Sequence, residues 1–405
     1  MTVNISEPEK LLPIDGIRLA AGAAGIKKSG ATDIVLIEIC EGARCSAVFT
    51  QNRFRAAPVL ISEKHIKQAS PRLLMINSGN ANAGTGESGY RNAVKTCELA
   101  AAQLGCSVEE VLPFSTGVIG EHLPVECFLN ALPSIVQSLA SDYWLSAAKG
   151  IMTTDTVAKA VSRQIEIDGE VITITGIAKG SGMIKPNMAT MLGYIATDAA
   201  IDHALLSDCL KSSVESSFNS ITVDGDTSTN DSCVLIATGR SAVSEINKRD
   251  ERYEVFIKAL NEVMQFLAQA IIRDAEGVTK FVEITVSSAE SYNDAKTVAY
   301  TVAHSPLVKT ALFASDPNWG RILAAVGRAE VDNINVASLS IFLGDVCIVK
   351  NGGRDPAYTE EAGQTVMSQD EIAITIDMAQ GDQQATVWTS DLSYDYVKIN
   401  AEYRS

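Results

Sequence analysis

The stretch from Lys179 to Gly193, Lys-Gly-Ser-Gly-Met-Ile-Lys-Pro-Asn-Met-Ala-Thr-Met-Leu-Gly, constrains this chain more than any other. It sets a small residue and a threonine, Ala189 and Thr190, in a glycine-punctuated loop between two apolar patterns, Val171 to Thr175 and Met191 to Ala196. Runs of this kind on either side of a loop read as two strands of one sheet. A threonine so placed can attack the carbonyl of its own preceding residue through a five-membered ring, given a strained turn and a stabilised oxyanion. Scission of the Ala189–Thr190 bond leaves Thr190 with a free α-amine, whose ordinary pKa is about 7.7 to 8.0, so one residue holds nucleophile and general base together. A plain hairpin connection uses the same residue types, and the local sequence accommodates both readings.

Composition narrows the class. A chain of 405 residues with 46% hydrophobic residues has length for about two domains and ample material for their cores. Thirty-three basic residues against 49 acidic ones give a net charge of −16, which argues against a nucleic-acid partner. No apolar run approaches the roughly 20 residues of a bilayer span, and the first residues lack the pattern of a signal peptide, so the expectation is a soluble, cytoplasmic protein. The eight cysteines show no Cys-x-x-Cys spacing and read as buried free thiols of a reducing compartment. The four scattered histidines offer no metal-ligand spacing, and neither a metal nor a cofactor is expected.

Strand-like runs recur at Ile34 to Ile39, Leu73 to Ile76, Val171 to Ile174, Cys233 to Ile236, Val282 to Val286, Ser340 to Leu343 and Ile372 to Ile376. The clearest amphipathic helix runs from about Arg252 to Ile272, with Phe256, Leu260, Val263, Leu267 and Ile271 spaced by three and four. Other helical patterns cover Asn92 to Leu104, Cys127 to Leu139, Ala204 to Phe218 and Asn318 to Arg328. The fold class is mixed α/β, with sheets layered against helices.

Ordered blocks flank the loop from the first quarter of the chain to its last residue. Upstream stand Asn77-Ser-Gly-Asn-Ala-Asn-Ala-Gly-Thr-Gly86, Ser115-Thr-Gly-Val-Ile-Gly-Glu121 and Met152-Thr-Thr-Asp-Thr156. Downstream stand Thr222-Val-Asp-Gly-Asp-Thr-Ser-Thr-Asn-Asp231, Asp274-Ala-Glu-Gly277, Asp316-Pro-Asn-Trp-Gly-Arg321 and Asn400-Ala-Glu-Tyr-Arg-Ser405. With the loop itself, they resemble the ornithine acetyltransferase (glutamate N-acetyltransferase) family over nearly the whole chain.

That resemblance implies the family's fold and a two-step exchange within cyclic arginine biosynthesis. The Thr190 hydroxyl takes acetyl from N-acetylornithine, ornithine leaves, and the amine of glutamate attacks the acetyl-enzyme. It implies cleavage between Ala189 and Thr190 into a fragment of residues 1–189 and a fragment of residues 190–405, which share a core and pair into a heterotetramer. It assigns the oxyanion hole to Thr116 and Gly117, and substrate binding to Thr153, Lys179, Thr190, Glu276, Asn400 and Ser405. The residue types suit an amino-acid ligand: Lys179 for a carboxylate, Glu276 for an ammonium group, Thr153 and Asn400 for neutral hydrogen bonds. Bifunctional members of the family also take acetyl from acetyl-CoA.

Other readings use the same residues differently. A related N-terminal-nucleophile hydrolase or aminopeptidase would make the same cut and release its acyl group to water. Gly84-Thr-Gly-Glu-Ser-Gly89 fits the Gly-x-Gly-x-x-Gly of a dinucleotide-binding oxidoreductase, but Ser78 to Ala83 separate it from the preceding strand pattern, whereas that fingerprint needs a tight turn. A scaffold protein without catalysis would remain one intact chain. Asp224 to Asp231 lacks the closing glutamate of a calcium loop and reads as turn chemistry near the site.

Overall fold

The computed structural model describes residues 2–27, 30–185 and 191–402. They divide into two compact units, the larger made of Ser6–Asn219 and Asp226–Ile271, the smaller of Met1–Ile5, Ser220–Gly225 and Ile272–Ser405.

The larger unit is built on two sheets. One has four strands in the order Ile17–Gly22, Ile34–Ile39, Leu73–Asn80, Val111–Val118, antiparallel except for the last, parallel pair. The other has five, in the order Arg44–Phe49, Ser232–Ala237, Leu192–Thr197, Glu170–Lys179, Lys159–Ile167, and only Ser232–Ala237 and Leu192–Thr197 run parallel. The sheets face each other across a core in which Leu19, Ile37, Ile76 and Phe114 of the first meet Ile177, Tyr194 and Val234 of the second. The Phe114 and Tyr194 rings stand edge to face with centroids 5.3 Å apart.

Helices cover both outer faces. Ala57–His65, Gly86–Leu104 and Val125–Gln137 bury Ile61, Cys97 and Phe128 against Leu36 and Met75 of the four-stranded sheet. His203–Glu215 and Glu251–Arg273 lie on the other sheet, where a side chain at Gly176 would meet Val263 and Leu267. Strands covered on both sides carry continuous apolar runs instead of alternation, which is why Ile34–Ile39 stands out in the sequence. Glu251–Arg273, with 23 residues, is long and apolar enough to cross a bilayer by length and composition, which corrects the expectation that no segment is. Its Phe256, Leu260, Val263, Leu267 and Ile271 are fully buried in the protein, as in a core helix.

The smaller unit has a seven-stranded sheet ordered Gly353–Arg354, Val346–Lys350, Ser340–Leu343, Glu371–Asp377, Phe281–Ala289, Gln383–Ser390, Ile221–Thr222. Helices Tyr292–Ala303 and Trp319–Gly327 bury Val298, Val302 and Ile322 in a core with Ile284, Ile341 and Ile374.

Both strands that flank the glycine-rich loop belong to the five-stranded sheet and pair antiparallel from Ile174↔Thr197 to Lys179↔Leu192, as the apolar patterns on its two sides predict. The strand expected at Leu73 to Ile76 runs on to Asn80. Its polar residues stay in the ladder because Asn77 Nδ2 donates to the Asn80 carbonyl at 2.8 Å and Ser78 Oγ to the Gly150 carbonyl at 2.7 Å. Only Ala81 to Ala83 therefore separate strand from Gly84, not the six residues counted from the apolar pattern. Gly89 sits in the first turn of helix Gly86–Leu104, where a Cβ would come 1.8 Å from Thr85 Oγ1 and 2.6 Å from Asn82 Oδ1, so packing within the loop itself calls for this glycine. All eight cysteines are free thiols; Cys45, Cys97, Cys209 and Cys233 are buried as expected, whereas Cys40, Cys106, Cys127 and Cys347 are partly exposed.

Candidate active site

Strand Val111–Val118 carries Thr116 and Gly117 at its end, in parallel register with Ser78 and Gly79. Gly117 has φ +134°, and a Cβ there would lie 2.3 Å from the Gly79 carbonyl carbon and 2.6 Å from the Asn80 nitrogen. Only glycine fits this approach of two backbones. The Ser115-Thr116-Gly117 run is thus strand and not a turn.

Thr116 is buried, and its Oγ1 accepts a hydrogen bond from Lys179 Nζ at 3.1 Å. A hydroxyl that accepts from an ammonium still has its own proton to donate, and the ammonium makes it a stronger donor. A Thr hydroxyl and the amide of the glycine that follows it are a pair of donors of the kind suited to an oxyanion.

Lys179 ends strand Glu170–Lys179, and the chain turns there on Asp155. Asp155 Oδ1 accepts from the Gly180 amide at 2.7 Å and from Lys159 Nζ at 2.7 Å, while Oδ2 accepts from the Thr153 amide at 3.0 Å. The Asp155 and Lys159 side chains are both fully buried. Burial alone would push the Asp155 carboxyl up; the positive charges of Lys159 and Lys179, with the Lys159 and Thr153 hydrogen bonds, outweigh it and hold the group well below the usual carboxylate range. One carboxylate thus fixes both Thr153 and the residue after Lys179. Thr154 Oγ1 and Ser181 Oγ lock the same two segments at 2.7 Å.

A buried amide network holds the strand ends. Asn230 Nδ2 donates to the Ala81 carbonyl at 2.6 Å and the Ser115 carbonyl at 2.9 Å, and Ser115 Oγ donates to Asn77 Oδ1 at 2.6 Å. Asn230, from the Asp224 to Asp231 block expected near the site, thus joins the Asn77 and Ser115 blocks.

In the smaller unit, Asn400 Nδ2 donates to Glu276 Oε2 at 2.9 Å. The pair is held by Gly277, φ +69°, where a Cβ would come 2.4 Å from the Tyr396 nitrogen, and by Ser393 Oγ donating to the Gly277 carbonyl at 2.6 Å. The block Asp274 to Gly277 therefore docks the helix Tyr394–Ala401 that carries Asn400.

Of the residues expected in the site, Thr116, Gly117, Thr153 and Lys179 come together in the larger unit, and Glu276 and Asn400 pair in the smaller one. Ala189, Thr190 and Ser405 lie outside the described residues. Asp155, Asn230 and Asp231 were not singled out. Asp155 carries a signal in its spacing of four from Lys159, but only the fold reveals that both are buried. Among the described residues, no group of three or more His, Cys, Asp or Glu is arranged to hold a metal.

A fold of layered sheets and helices, with a buried threonine hydroxyl bonded to a lysine and a glycine that admits no side chain at the end of one strand, has the polar groups that an acyl-transfer class of site uses. The ArgJ family profile matches residues 18–405, and the chain belongs to the ArgJ family. It is 51% identical over 406 residues, all of both chains, to the arginine biosynthesis bifunctional protein ArgJ of Pseudomonas fluorescens. It is 53% identical over 403 residues to the protein of the same name from Psychrobacter arcticus, covering 99% of each chain. Among solved structures it is similar to the arginine biosynthesis bifunctional protein of Bacillus halodurans, with 37% identity over 53% of this chain and 100% of that one, at a TM-score of 0.51.

Proposed function

We propose that this chain is a glutamate N-acetyltransferase that cuts its own Ala189–Thr190 bond and then carries acetyl on the freed Thr190. In the first half-reaction, the Thr190 hydroxyl takes acetyl from N-acetylornithine and ornithine departs. In the second, the glutamate amine attacks the acetyl ester. Thr116 Oγ1–H and the Gly117 amide receive the oxyanion formed in each half. Thr153, Lys179, Glu276, Asn400 and Ser405 bind the amino-acid portions of the two substrates. Acetyl-CoA serves as a second donor, in keeping with the word bifunctional in the names of the relatives.

The observation that carries this reading is the Lys179 hydrogen bond to Thr116 Oγ1 beside a glycine that tolerates no side chain. Membership in the ArgJ family supports the reaction class. The two fragments, residues 1–189 and 190–405, remain associated through the strand pair Glu170–Lys179 and Leu192–Thr197, and two of each assemble into a heterotetramer. Eight free thiols accord with work in the reducing cytoplasm.

Initial-rate kinetics with N-acetyl-L-ornithine and L-glutamate test the proposal. Parallel double-reciprocal lines and acetylglutamate formed in step with ornithine are expected. Acetate released at the same rate with or without glutamate would instead identify a hydrolase.

A further inference from the structure

Lys309, in helix Pro306–Phe313 of the smaller unit, is only 4% exposed and lies outside the set of residues assigned to the site. Its Nζ donates to Thr389 Oγ1 at 2.9 Å and to the Ser390 carbonyl, both at the end of strand Gln383–Ser390. Its own carbonyl accepts from the Leu392 amide at 3.2 Å. One lysine thus holds the chain that leads from this strand into helix Tyr394–Ala401, the element that carries Asn400. Phe313, one turn further along the lysine's helix, meets Tyr394 edge to face with ring centroids 5.5 Å apart.

A buried ammonium is costly unless opposite charge stands near it. Burial lowers Lys309 to about 8, and the negative charges of Asp391 and Asp224 oppose that fall, so the group keeps its proton at neutral pH. Each of these carboxylates also grips a segment of the site. Asp391 Oδ1 accepts from the Thr279 amide at 2.9 Å and the Lys280 amide at 3.1 Å, and Oδ2 from Thr279 Oγ1 at 2.5 Å, which fixes the chain three residues beyond Glu276. Asp224 Oδ2 accepts from the Tyr396 hydroxyl at 3.2 Å, one turn before Asn400. The register Thr389↔Thr222 sets the strand that leads to Asp224 beside the strand end that Lys309 holds. Two carboxylates around one cation therefore grip the two segments that bring Asn400 Nδ2 to 2.9 Å from Glu276 Oε2. Without the cation they repel each other or take up protons, and either change loosens a grip.

We propose that Lys309 is a positioning residue for amino-acid binding, which sets the Glu276 carboxylate, through Asp391 and Asp224, to accept the side-chain ammonium of ornithine and of N-acetylornithine. This inference rests on the reading, proposed above, that Glu276 and Asn400 bind substrate. Lys309 itself touches no substrate. Its effect passes through Asp391 to the segment after Glu276, and through Asp224 and Tyr396 to the helix of Asn400.

The test measures L-ornithine binding to the purified enzyme by titration calorimetry, with kcat and KM for N-acetyl-L-ornithine and a thermal melt. It compares wild type, Lys309→Met, Tyr396→Phe, Glu276→Gln and Asn400→Ala. Met fills nearly the volume of Lys without its charge. Lys309→Met should raise the ornithine Kd and the KM at least about fivefold while kcat stays within about threefold of wild type. A lysine that served folding alone would lower kcat, through loss of active enzyme, at unchanged Kd and KM; that result overturns the proposal. Tyr396→Phe removes one oxygen from the path through Asp224 and should weaken ornithine binding by about three- to tenfold. If Lys309→Met does not fold, Tyr396→Phe decides, and an unchanged Kd there overturns the proposal. Unchanged ornithine binding in both Glu276→Gln and Asn400→Ala refutes the binding assignment itself. Weakened binding in those two with wild-type binding in Lys309→Met refutes only the role of Lys309.

Discussion

Lys179 Nζ donates to Thr116 Oγ1 at 3.1 Å, and the same lysine's charge helps to keep Asp155 ionised. The ammonium thus polarises the hydroxyl proposed to receive the oxyanion while a buried carboxylate holds the backbone beyond it. Thr116→Ala should lower kcat by about 10²- to 10³-fold, the usual loss for one oxyanion donor, and Thr116→Ser should restore most of it. Combined with Lys179→Met in a double-mutant cycle, the two losses should fall short of additivity by about 0.5–3 kcal/mol, because both act through one contact. Steady-state kinetics of the four proteins measure this.

Gly117→Ala should do more damage than its size suggests. The added methyl meets backbone, not a movable side chain, at 2.3 Å, so strand Val111–Val118 or strand Leu73–Asn80 must shift. A loss of about 1–3 kcal/mol in stability is expected in denaturant titrations, together with a fall in kcat at least as large as that of Thr116→Ala. Unchanged activity would remove Gly117 from the site.

Asp155 titrates below the usual carboxylate range in the folded chain, so its stabilisation is fully present above the unfolded pKa of about 3.9 and is lost as pH falls from there toward the folded value. Asp155→Asn should abolish that part of the acid sensitivity. At neutral pH it should cost about 3–5 kcal/mol, because it leaves the Lys159 ammonium buried without its counter-charge. Denaturant unfolding of both proteins at pH 7 and through the acid range reports both effects.

The Asn400–Glu276 pair is exposed, and its loss should weaken binding more than folding. Asn400→Ala should raise the KM for N-acetylornithine by about three- to tenfold, the worth of one hydrogen bond, with an unchanged melting temperature. Glu276→Gln should raise it further, because an ammonium ligand loses its charge partner.

The elements legible in the sequence were those whose own residues pay no heed to context: Ile34–Ile39 and Ser340–Leu343 appear at their observed ends, and Glu251–Arg273 within a residue. Arg44–Phe49 and Lys159–Ile167 were illegible because arginine, serine and glutamine interrupt their apolar patterns, and the sheet supplies the order that local propensity does not. Thr116 and Gly117, which the fold sets beside Lys179 and Gly79, were recognisable as a unit through the Ser115-Thr-Gly117 block. Asp155 and Asp231 were not, since whether a carboxyl is buried, and beside what, depends on strands distant in the chain. Asp231 read as turn chemistry; in the fold it ends a loop against Met191.

The central claim is that Thr190 becomes a chain terminus and then an acyl carrier. Intact-mass spectrometry under denaturing conditions, on enzyme active in acetyl transfer, tests it most directly. The account predicts two masses, for residues 1–189 and 190–405, the second gaining 42 Da, the mass of an acetyl group, with N-acetylornithine, and a single uncut mass for an inactive Thr190→Ala chain. A fully active preparation consisting of one unbroken chain would contradict it.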